Sequence, residues 1–151
     1  MKTVCIVTNY NYARFLGACL DSALAQTRPF DRIVLIDDGS TDGSHALIED
    51  YARRDARIVP VLKRNGGQLS CLNAAREHIE DGDLVTLLDA DDLYPPDYLA
   101  TLLERASQHR ADFYFTEVIE FDGNHASPVP PSCTTAQVPD FEIPCPSALT
   151  R

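Results

Sequence analysis

The 151 residues carry 23 acidic against 13 basic side chains, a net charge of −10, which argues against a nucleic-acid backbone as partner and makes an anionic ligand surprising unless a cation bridges it. Hydrophobic residues make up 44% of the chain, enough for one domain with a core, and no apolar run approaches the length of a transmembrane helix. The five cysteines are scattered, odd in number and form no CxxC pair; this speaks against a zinc site and fits a reducing cytoplasm, the expected location being there or at the inner face of the membrane.

In chain order, residues 3–8 form a short apolar run that reads as a buried strand. Asn9, Tyr10, Asn11 and Arg14 end it too early for a signal peptide. Phe15, Leu16, Cys19, Leu20 and Leu24 then recur as one helical face. A second strand, 32–37, runs into Asp37-Asp38-Gly39-Ser40-Thr41-Asp42, residue types that also suit a plain turn with a helix cap. Leu47, Ile48 and Tyr51 mark a second helix. A third strand, 58–63, ends in Lys63-Arg64-Asn65-Gly66-Gly67, and Leu69, Leu72, Ala75 and Ile79 predict the apolar face of a third helix. A fourth strand, 84–89, ends in Asp89-Ala90-Asp91-Asp92. Leu99, Leu102, Leu103 and Ala106 form a fourth helical face, with Pro96 suited to its first turn and Asp92 to its cap. Residues 112–121 alternate more and read as an edge or antiparallel strand. From Gly123 the texture changes, and six of the ten prolines fall between Pro128 and Pro146. The expected organisation is a core over 1–122 followed by a proline-rich, irregular segment over 123–151.

Strand–helix alternation predicts an α/β fold, a mainly parallel open sheet flanked by helices on both faces. Near-continuous apolar strands agree with that. In such a sheet ligands bind beyond the carboxyl ends of the strands, so the four polar clusters at the strand ends are expected to meet at one edge. The fourth is the most charged. Two carboxylates about 5 Å apart repel by roughly 3 kcal/mol at an effective dielectric of about 20, and crowding Asp89, Asp91 and Asp92 needs a metal ion, a basic partner or water to offset it. Other sites of this fold class fit less well. Thr8 to Phe15 contains no glycine for a dinucleotide fingerprint, and no G-K-[ST] occurs. A phosphoryl-accepting receiver domain places its acid pair after the first strand, and a haloacid-dehalogenase-type phosphatase places Asp-x-Asp there. Here the acid pair follows the second strand and Asp-x-Asp the fourth. The four histidines show no ligand spacing and read as surface residues.

The segments "VTNYNYARFLGACLDSALAQT", "IVLIDDGSTDGS", "KRNGGQLSCLNAA" and "GDLVTLLDADDLYPPDYL" together resemble glycosyltransferase family 2, over roughly Val4 to Leu103. Tyr10-Asn11, Leu16, Ser22, Gln26-Thr27 and Asn73 are recurring marks; Thr8 is a departure, where the family often has proline. The resemblance implies the Rossmann-like GT-A fold that binds nucleotide-diphospho-sugars, and an inverting, metal-dependent sugar transfer from a donor, a UDP-sugar being favoured. Mn²⁺ or Mg²⁺ would be held by Asp91, assisted by Asp92. Asp89 would lie near the ribose. Asp38 would meet the base, with Thr8 and Tyr10 lining its pocket and Tyr10 stacking. Arg64 or Lys63 would approach the diphosphate or base, Asn65 and Gly67 would shape their loop, and Asp37 would be structural. The family's general base is an acid well downstream of the metal motif. None of Glu117, Glu120, Asp122, Asp140 and Glu142 stands in a matching context. The expectation is therefore an N-terminal donor-binding portion, C-terminally truncated and lacking its base, whose open edge promotes self-association. The alternative is a nucleotide-sugar-binding module that does not transfer by itself. The acceptor is not specified by these residues.

Overall fold

The computed structural model describes residues 1–109, 111, 113 and 114. Of the predicted strand at 112–121, residues 113 and 114 are described and belong to no strand; its other residues, the proline-rich segment, Cys133 and Cys145 lie outside the described residues. Strands β1 (Thr3–Asn9), β2 (Arg32–Asp37), β3 (Ile58–Leu62) and β4 (Leu84–Asp89) form one sheet in the order β3-β2-β1-β4, with every pairing parallel. Helices α1 (Ala13–Leu24), α2 (Ser44–Arg54), α3 (Gln68–Ala75) and α4 (Tyr98–Gln108) connect or follow them. The chain lays down β1, β2 and β3 in one direction, then returns to the other side of β1 for β4. That reversal opens a crevice between the carboxyl ends of β1 and β4, the usual ligand position in an open α/β sheet.

Side-chain alternation along the strands sorts the core into two layers. Cys5 and Val7 of β1 and Ile33 and Leu35 of β2 pack with Leu16, Cys19 and Leu20 of α1, Ile48 of α2 and Leu99 of α4. Val4, Ile6, Val34 and Ile36 point the opposite way and pack on Cys71 and Ala75 of α3. Cys5, Cys19 and Cys71 are buried free thiols, as their apolar settings predict, and burial pushes the Cys5 thiol up to about 12. The strands at either end of the described sheet are less apolar than expected: Pro60 and Leu62 of β3 and Leu87 of β4 are exposed. Pro60 lacks the N–H that an inner strand needs, and an outer strand tolerates it.

Two expectations are corrected. Leu69 does not belong to the buried face of α3; it is 72% exposed. The sheet is covered instead by Cys71 and Ala75, four residues apart, because the helix starts only at Gln68 and this phase directs Leu69 outward. Asp92 does not cap α4. The cap comes from another element: Gln26, just beyond α1, accepts from Leu99 N (2.9 Å) and donates to Pro95 O (2.7 Å). Thr27 N also donates to Pro96 O (2.8 Å), and Tyr94 N to Ser22 Oγ (3.1 Å). Ser22, Gln26 and Thr27 thus tie the loop after β4 to the end of α1, fixing where Asp91 and Asp92 leave the sheet. Among the described residues no helix is long and apolar enough to cross a membrane.

Candidate functional site

The strand register brings the polar strand ends together in pairs. Thr8 is the partner of Asp89, and Asn9 that of Asp37. Alternation then sends these pairs to opposite faces of the sheet. Asn9 and Asp37 turn toward the face of α1 and α2. Asp37 is fully buried and accepts from Asn9 Nδ2 (2.7 Å), Ser40 Oγ (2.6 Å) and Ser40 N (2.9 Å), with His45 Nε2 at 2.8 Å. Burial raises its pKa, but the bonds from Ser40, Asn9 and His45 outweigh it and hold the carboxyl below its ordinary value. Asp37 is therefore a structural anchor, and His45, on the surface as expected, bonds to it from outside. The turn reading of Asp-Gly-Ser holds for the neighbours as well. Ser40 accepts from Asn11 N (2.8 Å), Asn11 Oδ1 from Thr41 N (2.8 Å), and Asp42 from Ala13 N (2.9 Å), stitching the loops after β1 and β2 together.

Thr8, Asp38 and Asp89 point the other way, toward the first turn of α3. Asp38 accepts from Gly66 N (3.0 Å), from Gly67 N (2.8 Å) and from Lys63 Nζ. Burial raises its pKa, and the Lys63 and backbone N–H bonds more than reverse this. Lys63 also donates to Arg64 O (2.6 Å) and Ser70 Oγ (2.7 Å), so its three protons are used. Of the two cations considered for the diphosphate, Lys63 is a loop staple. Arg64, exposed and without an ion pair among the described residues, is the one left free. Gly39 has φ +78°, and a Cβ there would sit 2.9 Å from Asn65 N. Only glycine lets the turn after β2 approach the loop after β3 so closely.

Between these elements lies a cleft of about 500 Å³. Of the predicted site residues, Thr8, Tyr10, Asp38, Asn65, Gly67, Asp89 and Asp91 line it; Arg64 and Asp92 do not. Tyr10 and Tyr12 are 46% and 41% exposed, offering aromatic faces. Sequence reasoning missed Asn9, Tyr12, Gln68 and Cys71, which also line the cleft. The available signal for Asn9 and Tyr12 was their place on either side of Tyr10 where β1 ends; Gln68 and Cys71 carried none. Asp89 accepts from Thr8 Oγ1 (2.6 Å) and Gln68 Nε2 (3.0 Å). Asp91 makes no hydrogen bond to another described residue.

The three acids after β4 are unfavourable for one another. The Asp92 carboxyl is pushed above its ordinary value, first by loss of water around it, then by the charges of Asp91 and Asp89. Ionised Asp92 therefore costs stability once the pH exceeds the usual carboxylate range. Asp92→Asn is expected to raise the melting temperature at pH 7, and the gain should vanish as the pH falls below about 4, where the unfolded chain's aspartates protonate. Calorimetric scans at the two pH values check this; an equal shift at both would contradict it.

A sequence profile described as glycosyl transferase family 2 matches residues 4–144. The chain belongs to this family. An uncharacterised glycosyltransferase of Nostoc sp. is 40% identical over 105 residues, 69% of this chain and 32% of that protein. The undecaprenyl-phosphate 4-deoxy-4-formamido-L-arabinose transferase of Edwardsiella ictaluri is 47% identical over 108 residues, 68% of this chain and 33% of that protein. Among solved structures, residues 1–349 of S. aureus TarS, in complex with UDP-GlcNAc, superpose with a TM-score of 0.66 at 27% identity, covering 74% of this chain and 33% of that one. The mannosyltransferase PcManGT from Pyrobaculum calidifontis, in complex with GDP-Man and Mn²⁺, gives 0.64 at 29% identity over 70% and 32%. The chain spans about a third of the length of these proteins. The parallel sheet with flanking helices agrees with the GT-A fold that the resemblance to this family implies.

Proposed function

We propose that the cleft binds a nucleoside-diphosphate sugar, a UDP-sugar in the first instance, together with Mn²⁺ or Mg²⁺, and that the protein to which this domain belongs transfers the sugar to an acceptor with inversion. One observation carries the reading. An acceptor-only carboxylate (Asp38), an aromatic face (Tyr10), a second fixed carboxylate (Asp89) and a free carboxylate (Asp91) line one cleft at the β1/β4 crevice, with Asp92 next to Asp91 in the chain. That set suits the base, ribose and diphosphate of a nucleotide. Neighbours of this fold are described with UDP-GlcNAc in one case and GDP-Man with Mn²⁺ in another.

Asp38 takes four hydrogen bonds from three donors, because Gly66 N is shared between its two oxygens; the N3–H of uracil would replace the longer Gly66 contact of 3.2 Å on Oδ2. Tyr10 stacks on the base, and Asp89 accepts from the ribose. Asn65 and Gly67 hold the loop wall, and Arg64 reaches toward the diphosphate. The donor set after β4 fits a hard divalent ion: the oxygens are carboxylate, exposed, and close enough to disfavour one another's charge. Asp91 and Asp92 would hold it. Among the described residues no three His, Cys, Asp or Glu side chains gather around one point, so diphosphate oxygens and water would complete the shell. When bound, the cation neutralises the charge that builds on the departing diphosphate. The general base is assigned to none of the described residues. Work at the cytoplasmic side of a membrane agrees with three buried free thiols.

The test is a thermal-unfolding screen of UDP, dTDP, GDP and CDP with Mn²⁺. A ligand at 100 times its dissociation constant adds about 2.7 kcal/mol, several degrees at about 2–4 °C per kcal/mol. UDP should give the largest shift. No shift with any of the four would overturn the reading.

A further inference from the structure

The bond pattern on Asp89 is asymmetric in a way that the donor-binding reading does not require. Both donors fall on one oxygen. Thr8 Oγ1 reaches Oδ1 at 2.6 Å and Gln68 Nε2 reaches the same atom at 3.0 Å. They come from two other elements, the last turnward residue of β1 and the first residue of α3. Thr8 is also the register partner of Asp89 across the parallel pair, so the backbone sets their spacing. A carboxylate oxygen has two lone pairs, and both are filled on Oδ1. No described residue donates to Oδ2. The side chain is thus held at one end and open at the other, on the wall of the cleft.

An oxygen in that position lacks a donor, and a nucleoside diphosphate has few to give. Its phosphate oxygens only accept at neutral pH, and the base N–H faces Asp38. The ribose hydroxyls remain. We propose that Thr8 and Gln68 are positioning residues that make Asp89 a one-sided acceptor for a ribose hydroxyl, so that the cleft selects ribonucleotides over deoxyribonucleotides. This rests on the donor-binding reading above.

The experiment compares UDP with 2′,3′-dideoxy-UDP by titration calorimetry in Mn²⁺, for the wild-type chain and for Thr8→Val, Gln68→Leu and Thr8→Ser. The wild-type chain should prefer UDP by about tenfold or more, the loss expected when an ionised acceptor goes unpaired. Thr8→Val and Gln68→Leu should each reduce that preference by about three- to fivefold, the size of one neutral hydrogen bond. The reduction should come from weaker UDP binding, with dideoxy-UDP affinity unchanged. Thr8→Ser keeps the hydroxyl and should restore the preference. Equal losses for both nucleotides would mean that the two residues only shape the cleft, and would overturn the proposal. So would a Thr8→Ser chain that behaves as Thr8→Val, or a wild-type chain that binds the two nucleotides equally. In each of those cases UDP still binds and the donor-binding reading stands. A wild-type chain that binds neither nucleotide overturns both.

Discussion

Asp91→Asn is expected to abolish the gain in UDP affinity that Mn²⁺ confers, leaving binding no tighter than the wild type in chelator. The charge balance dictates the size of the effect. The chain carries a net charge of −10, and three carboxylates follow β4 at the mouth of the cleft. Each diphosphate charge about 5 Å from one of them is opposed by roughly 3 kcal/mol at an effective dielectric of about 20. A divalent ion between the carboxylates and the diphosphate reverses that sign. Losing the ion should cost on the order of 2–3 kcal/mol, about a hundredfold in affinity, by comparison with other charge-assisted contacts. Asp91 makes no hydrogen bond to another described residue, so its replacement removes no support from the fold. The melting temperature of the empty variant should equal or exceed that of the wild type. Titrations in Mn²⁺ and in chelator, on both proteins, separate the two effects. An Asp91→Asn chain that keeps the Mn²⁺-dependent gain would place the ion elsewhere.

Asp38→Ala is expected to lower stability by about 2–4 kcal/mol and to erase any preference for UDP over CDP. The stability loss follows from what the carboxylate leaves behind. Lys63 Nζ, Gly66 N and Gly67 N all donate to it, and Asp38 is only 4% exposed, so water replaces it poorly. The loss of preference follows from base chemistry. Uracil N3 carries a proton that a carboxylate can accept, whereas cytosine N3 is an acceptor that would face it unpaired. Denaturant unfolding gives the first quantity and nucleotide titration the second. A variant of wild-type stability would contradict the bonding described, and one that still ranks UDP above CDP would remove Asp38 from base recognition. The same bonds set an acid limit. Asp37 and Asp38 both have folded values below the ordinary one despite burial. The stability they contribute is complete above the unfolded value near 4 and fades as the pH falls through their lowered folded values.

Much of the architecture was legible in the sequence because the strands are short, apolar and punctuated by acids and glycines. The predicted runs 3–8, 32–37, 58–63 and 84–89 differ by at most one residue from the observed strands. That Asp37 and Asp38 face opposite layers follows from the sequence too, since adjacent residues at a strand end alternate. Asp37 shares a face with Ile33 and Leu35, and Asp38 continues that of Val34 and Ile36. What the chain order concealed were bonds between distant segments. Gln26 capping α4 spans 73 residues, and no local cap signal at Asp97 announces it. Lys63 reads as a free cation in sequence because its partner, Asp38, is 25 residues away. Leu69 fits a helical period on paper, but the period alone does not fix which residue starts the helix. Gln68 has no signal of its own: a glutamine at a helix start is ordinary until Asp89 is seen beside it.

The central claim is that one cleft, between the carboxyl ends of β1 and β4, holds a nucleoside diphosphate and its cation together. Anomalous scattering at the manganese edge, from crystals grown with UDP and Mn²⁺, tests it most directly. The account predicts a single peak against the carboxylates of Asp91 and Asp92, with uracil against Tyr10 and Asp38. A peak away from these acids, or a nucleotide bound outside the cleft, would contradict it.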